Sequence, residues 1–442
     1  MNISMPQPQC LGDWIAAQAE PFDTIDSVDL QPLMERMGDA RIVLIGEASH
    51  GTSEFYRMRQ RITAELIQQK DFRQICIEGD WPDAAHIDTY VRGRASQSRH
   101  DRGTFCRFPD WMWRNYEVLK FVNWLHAYNH ARADASKRVA LCGLDLYSLF
   151  SSMHEVLRYF QRQCDYDNLA AARAYYAKLL AYQPEAQAYA QAAAFGLEQQ
   201  QEAEVLAVLN DLFKRRLHVA QGEREIAFDA EQNARVVANA EKYYRSMFKP
   251  KNASWNLRDL HMFDTLQHLL HIRKRHNGKA IVWAHNAHVG DARYTEMGCR
   301  GEHTIGQLAR EAYGDAVFAI GFGTHTGTVA AADNWGEPVR IKIVRPSMEG
   351  SHEQLCHRSE NENFLLPLRA AREAKIGRNK KYQRAIGVIY RPETERARHY
   401  FKADLPGQFD EYVWLEESQA VTPLANYWTP DMPSQHPFAD ID

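Results

Sequence analysis

No apolar run in this chain approaches the ~18 residues that a membrane-spanning helix needs. The opening stretch MNISMPQPQC has no apolar centre, so a secretory signal is not expected. A cysteine framework is missing too. The seven cysteines, at 10, 76, 106, 142, 164, 299 and 356, are odd in number, irregularly spaced and without a CxxC pair. Cys76 and Cys142 fall inside apolar runs, where a thiol acts as a small buried hydrophobe. Neither sign of charge dominates: 53 Lys and Arg stand against 57 Asp and Glu, for a net −4. No basic face therefore calls for nucleic acid, and the short runs at Lys249–Lys251 and Arg378–Lys381 read as solvated loops. The expectation is a cytoplasmic protein with neither nucleic acid nor membrane as partner. Glycine is absent from Leu144 to Phe195, and Pro184 is the one proline there. Rich in Ala, Gln, Leu and Glu, the stretch 151–274 reads as a helical insertion, with a surface available for oligomer contacts.

What is present elsewhere is a series of short apolar runs ended by glycine or polar residues. They are RIVLIGE (41–47), QICIEGD (74–80), RVALCGLD (138–145), KAIVWAHN (279–286) and AVFAIGFGT (316–324). None alternates, which is the pattern of strands covered on both faces. Helical segments separate them, after 52, 110 and 304, and two helices carry residues 1–40, with Gly38 as a stop. Strands alternating with helices predict an α/β fold with a mostly parallel central sheet flanked by helices. The α/β domain takes 1–150 and 275–442, and the all-helical insertion between them forms one side of a cleft. AIGVIYR (385–391) and YVWLEE (412–417) are expected to extend one edge. At 45% apolar and 25% charged residues, the chain can bury a sizeable core.

Chemistry collects just past these strands. Glu47 and His50 follow the first, with Arg59 further along the next helix. Glu78 ends the second and Asp145 the third. His285 and His288 follow the fourth, and His325 follows the fifth. Ligands of open α/β sheets bind beyond the carboxyl ends of the strands, so these groups are expected to line one cleft. Each alone has a plain structural role: Glu47 as a helix cap, His50 as a hydrogen-bonded structural ring, Arg59 as a paired helix residue. Together they are costly to bury without a use. Such a set suits hydrolysis. A neutral imidazole takes a proton from water, a carboxylate three residues earlier fixes its tautomer, and an arginine with further histidines balances an oxyanion. No GxSxG elbow precedes a helix, which disfavours a serine acyl-enzyme. GFGTHTG lacks the lysine and helix of a phosphate loop.

GEASHGTSEFYRMR, IEGDWPDA, FPDWMWRNYEV, SWNLRDLHM and WAHNAHVGDAR together resemble the erythromycin esterase family, over roughly 35–420. The resemblance implies an α/β protein with a helical insertion and a deep cleft, in which water opens an ester or lactone. It implies His50 as general base, with Glu47 and Glu78 in the same site and Arg59, His285 and His288 lining it. Arg114, beside Trp111 and Trp113, is either a wall of the cleft or part of a helix packed on the sheet. Arg258 either pairs with Asp259 or reaches the site. The expected partner is a small-molecule ester or lactone, with a macrolide as one candidate. No cofactor is expected, and the alternative is a divalent metal held by the same His and Glu cluster. A second alternative is a non-hydrolytic accessory protein, since some family members carry names tied to exopolysaccharide production.

Overall fold

The computed structural model describes residues 10–94, 104–195, 202–216, 224–248, 251–272, 278–359 and 361–424. Of the basic runs, Lys249–Lys251 falls outside the described side chains. Among the described residues no helix is long and apolar enough to cross a membrane. The chain forms two compact units. One comprises the chain up to Ile75, Thr89–Ala140 and the chain from Leu270 onward; the other comprises Cys76–Asp88 and Leu141–Leu269.

Eleven strands occur among the described residues: β1 (Glu20–Pro21), β2 (Ile42–Ile45), β3 (Gln74–Asp80), β4 (Ala140–Asp145), β5 (Ala280–Trp283), β6 (Val317–Ala331), β7 (Arg340–Val344), β8 (Asn363–Pro367), β9 (Lys381–Arg384), β10 (Tyr400–Ala403) and β11 (Glu411–Ser418). In the first unit the sheet order is β1-β8-β11-β6-β2-β5, with β7 on β6. Its centre is parallel: β2 pairs in parallel with β5 and β6, and β6 with β11. The β1–β8, β8–β11 and β6–β7 pairs are antiparallel. β9 and β10 form a separate antiparallel pair. Every residue of β2 and β5 is buried, as strands covered on both faces require.

The run at 412–417 is a strand, but β11 sits between β6 and β8 and not at an edge. The run at 385–391 is not a strand. Pairing ends at Arg384, and Ile386 and Ile389 make only single bridges, to Ser49 and Ala332. The backbone there is spent tying loops together: Ile386 N–H donates to the Ala48 carbonyl at 2.9 Å.

The second unit holds β4 from Leu141 on, most of β3, and helices from Leu149–Arg162 to most of Lys251–Ile272. Leu149, Met153, Val156 and Phe160 recur at helical spacing and are buried. They meet Leu169, Tyr176, Val205, Leu212, Val237 and Tyr244 from three further helices. Burial of each large apolar side chain is worth about 1.5–3 kcal/mol, so this unit has a core of its own.

Candidate active site

β2 and β5 end level with one another, because Ile45 is paired with Trp283. The chains leaving both strands stay together: Asn286 N–H donates to the Glu47 carbonyl at 2.8 Å. The Asn286 side chain then clasps β6, donating to the Phe322 carbonyl at 2.7 Å and accepting from Phe322 N–H at 3.2 Å. A Cβ on Gly46 would stand 2.9 Å from the Ile320 carbonyl oxygen and closer still to Asn286 Oδ1. Only glycine lets these three segments approach. Gly51 does the same four residues after Glu47, where a Cβ would run into the Ala330 carbonyl.

Between these glycines lies a buried ionic chain. His50 Nδ1 is 2.8 Å from Glu47 Oε1, and Arg59 Nη2 is 2.6 Å from Glu47 Oε2. Glu47 and Arg59 are both 0% exposed. The Arg59 guanidinium carbon lies 4.3 Å from the ring centroid of Tyr56, 4.9 Å from that of Trp283 and 5.9 Å from that of Trp113. Aromatic faces compensate a desolvated guanidinium that one carboxylate serves. Tyr56 comes from the same helix, Ser53–Lys70, one turn before Arg59. Its hydroxyl faces the carbonyls of His50 at 2.8 Å and Met112 at 2.6 Å, pinning the loop that carries the imidazole. Burial, reinforced by the Glu47 carboxylate, pushes this phenol well above its ordinary pKa, so it stays a donor. Thr52 N-caps the helix without a side-chain bond, and its hydroxyl pairs with Ser49. Glu47 is therefore no helix cap: both its oxygens are committed to His50 and Arg59.

The His285 ring lies 4.9 Å from that of His50. His285 caps the short helix Asn286–Val289, its Nδ1 accepting from Ala287 N–H at 3.1 Å. His288 lies buried on that helix, with its N–H on the His285 carbonyl at 2.9 Å. Trp111 and Trp113 are buried, and Arg114 Nη1 is 3.4 Å from Cys106 Sγ.

Two further expected groups have close partners within their own units. Arg258 lies in the second unit. It joins the ends of β3 and β4, with Nη2 2.7 Å from Glu78 Oε1, and Nε and Nη2 2.9 and 2.5 Å from Asp145. Burial alone would lower the Arg258 pKa, but Asp145, Tyr147 and Glu78 reverse this and hold it well above the ordinary value. His325, expected in the cleft, turns to Ser347 and stacks on His357.

Sequence reasoning missed Tyr56, Trp283 and Asn286, which position the charged groups. Tyr56 was within reach, since positions three apart share a helix face. Asn286 and Trp283 depend on strand register, which no local pattern carries.

A parallel-centred α/β sheet with a carboxylate–imidazole pair just past a strand end has the layout in which α/β proteins bind ligands beyond the carboxyl edge of the sheet. Comparison with known proteins makes the class specific. The family model described as Erythromycin esterase matches residues 67–418, and the chain belongs to the erythromycin esterase family. The matched range begins after Arg59, so Glu47, His50 and Arg59 rest on geometry. An erythromycin esterase type II of Escherichia coli is 23% identical over 345 residues, covering 72% of this chain and 78% of that protein. Among solved structures, a succinoglycan biosynthesis protein has the same fold, with a TM-score of 0.74 at 21% identity over 93% of this chain and 97% of that one. A mutant erythromycin esterase in its open conformation has a TM-score of 0.62 at 16% identity, over 90% and 98% of the two chains.

Proposed function

We propose that the protein hydrolyses carboxylic ester or lactone bonds by water attack, with His50 as the general base. The observation that carries this reading is the 2.8 Å contact between His50 Nδ1 and Glu47 Oε1. A carboxylate accepting Nδ1–H leaves the lone pair on Nε2, where it can take a proton from water. As the proton arrives, Glu47 stabilises the imidazolium, and Arg59 holds Glu47 in place from its other oxygen. His285, beside the His50 ring, and His288 are assigned to the developing oxyanion. Arg114 is assigned to substrate contact. Glu78 and Arg258 enter through the family resemblance as assisting and binding residues.

The substrate class rests on family membership, and the macrolide lactone is one candidate in it through the name of the Escherichia coli relative. A panel of chromogenic esters, small lactones and a macrolide, run with and without chelator, tests the reading. Turnover of at least one ester or lactone that survives chelation is expected. Failure on every substrate favours an accessory role, and turnover abolished by chelator favours a metal-dependent reaction.

A further inference from the structure

A second cluster of histidines and a carboxylate lies in the first unit, built from three elements. His325 is on β6 and Glu416 on β11. Because Leu415 pairs with Thr324 and Glu417 with Thr326, Glu416 falls level with His325 on the neighbouring strand. His357 closes the helix His352–His357, which is anchored by the fully buried Cys356. The rings of His325 and His357 stack with centroids 3.7 Å apart and planes 6° apart. His357 Nδ1 lies 2.6 Å from Glu416 Oε1. One donor atom from each residue lies within 4.8 Å of the other two.

The surroundings prepare these groups as ligands. His325 Nδ1 is 2.8 Å from Ser347 Oγ. Donation of Nδ1–H to that hydroxyl leaves Nε2 with its lone pair, the orienting contact that metal-bound imidazoles commonly make. Trp414 Nε1 lies 3.3 Å from Glu416 Oε2 and fixes the carboxylate. The His357 side chain is 43% exposed, which gives an ion a way in. Two imidazoles and a carboxylate suit late first-row divalent ions better than calcium or magnesium. Bond lengths of ~2.0–2.2 Å put tetrahedral donors about 3.4 Å apart, so the donors close in from within 4.8 Å and one ring turns out of the stack to bring its nitrogen lone pair onto the ion.

We propose that His325, His357 and Glu416 bind a divalent cation of the zinc class, with solvent completing its coordination. The bound ion clamps the helix His352–His357 onto β6 and β11. The site is separate from His50 and does not depend on the hydrolase reading.

The test uses full-length protein stripped by chelator and titrated calorimetrically with Zn2+, with Co2+ absorption as a second probe. One ion per chain is expected, together with a rise in Tm on Zn2+ addition. His325→Gln and His357→Gln each weaken binding by at least about tenfold, and Ser347→Ala by roughly tenfold through loss of the orienting contact. His357→Gln changes a largely exposed side chain, so its fold is retained and checked by circular dichroism. His50→Gln leaves the affinity unchanged. Wild-type affinity and stoichiometry in the doubly substituted protein, or binding that responds to His50→Gln instead, overturns the proposal. So does the absence of stoichiometric binding to the parent protein.

Discussion

Glu47 is held at both oxygens, by an imidazole on one side and a fully buried guanidinium on the other. At the scale of the residue, this makes Glu47 a stability element as well as a proposed catalytic one. Removing one partner of a buried ion pair strands the other and costs about 3–5 kcal/mol. Glu47→Gln is therefore expected to lower the unfolding free energy obtained from urea titration by that order. Adding Arg59→Met should return much of the stability, because the three rings around residue 59 accept an apolar chain, while activity stays low. Recovery of activity along with stability would mean that the pair only packs the loop. The residue types of this pair were legible in the sequence, since Glu47 and His50 stand three apart past a strand. The grip of Arg59 on Glu47 was not, because Arg59 alone reads as an ordinary helix residue and its choice of partner is a tertiary fact.

At the scale of the element, two glycines set how closely the segments around the site approach. Gly46 faces Asn286 Oδ1 and the Ile320 carbonyl, and Gly51 faces the Ala330 carbonyl. Gly46→Ala has a side-chain amide that can partly give way, whereas Gly51→Ala meets backbone. Overpacking of this kind costs typically 1–3 kcal/mol. Thermal melts should show the larger loss for Gly51→Ala; an equal or smaller loss than for Gly46→Ala would show that the β6 backbone yields there. Legibility follows the same logic. Runs such as QICIEGD and KAIVWAHN announce their strands, because strands buried on both faces must be apolar throughout. The exposed strand β7, with Ile341 and Ile343 open to solvent, and the two-residue β1 carry no such signal. The run at 385–391 misleads because its apolar residues fill a loop core: Ile386 and Tyr390 pack with Val329, Ala331 and Val344. Placing β11 at an edge failed for another reason, as sheet order follows from connections that local periodicity does not record.

At the scale of the whole molecule, the first unit is braced by one buried carboxylate, Asp410. It receives Arg310 at 2.6 Å, Arg372 at 2.8 Å, Arg369 at 3.0 Å and the Ala319 N–H at 2.9 Å. These partners come from two helices and β6. Burial alone would raise the Asp410 pKa, but the three guanidinium groups outweigh it and bring it down to about 2. The folded value lies below the ordinary 3.8, so the stabilisation, about 2 kcal/mol, is complete above roughly pH 4 and is lost as pH falls through about 2. Asp410→Asn should therefore destabilise at pH 7 and flatten the acid limb of the stability curve, as read by urea unfolding between pH 7 and pH 3. An unchanged slope would place the acid sensitivity elsewhere.

The central claim is that His50 strips a proton from water. It is tested most directly by comparing kcat/KM of His50→Gln with that of the parent protein on the best substrate found, with fold and Tm checked on the same samples. Loss of a positioned base predicts a fall on the order of 10²–10⁴-fold, carried by kcat, with Tm nearly unchanged. A correctly folded His50→Gln protein turning over at close to the parent rate would contradict the account.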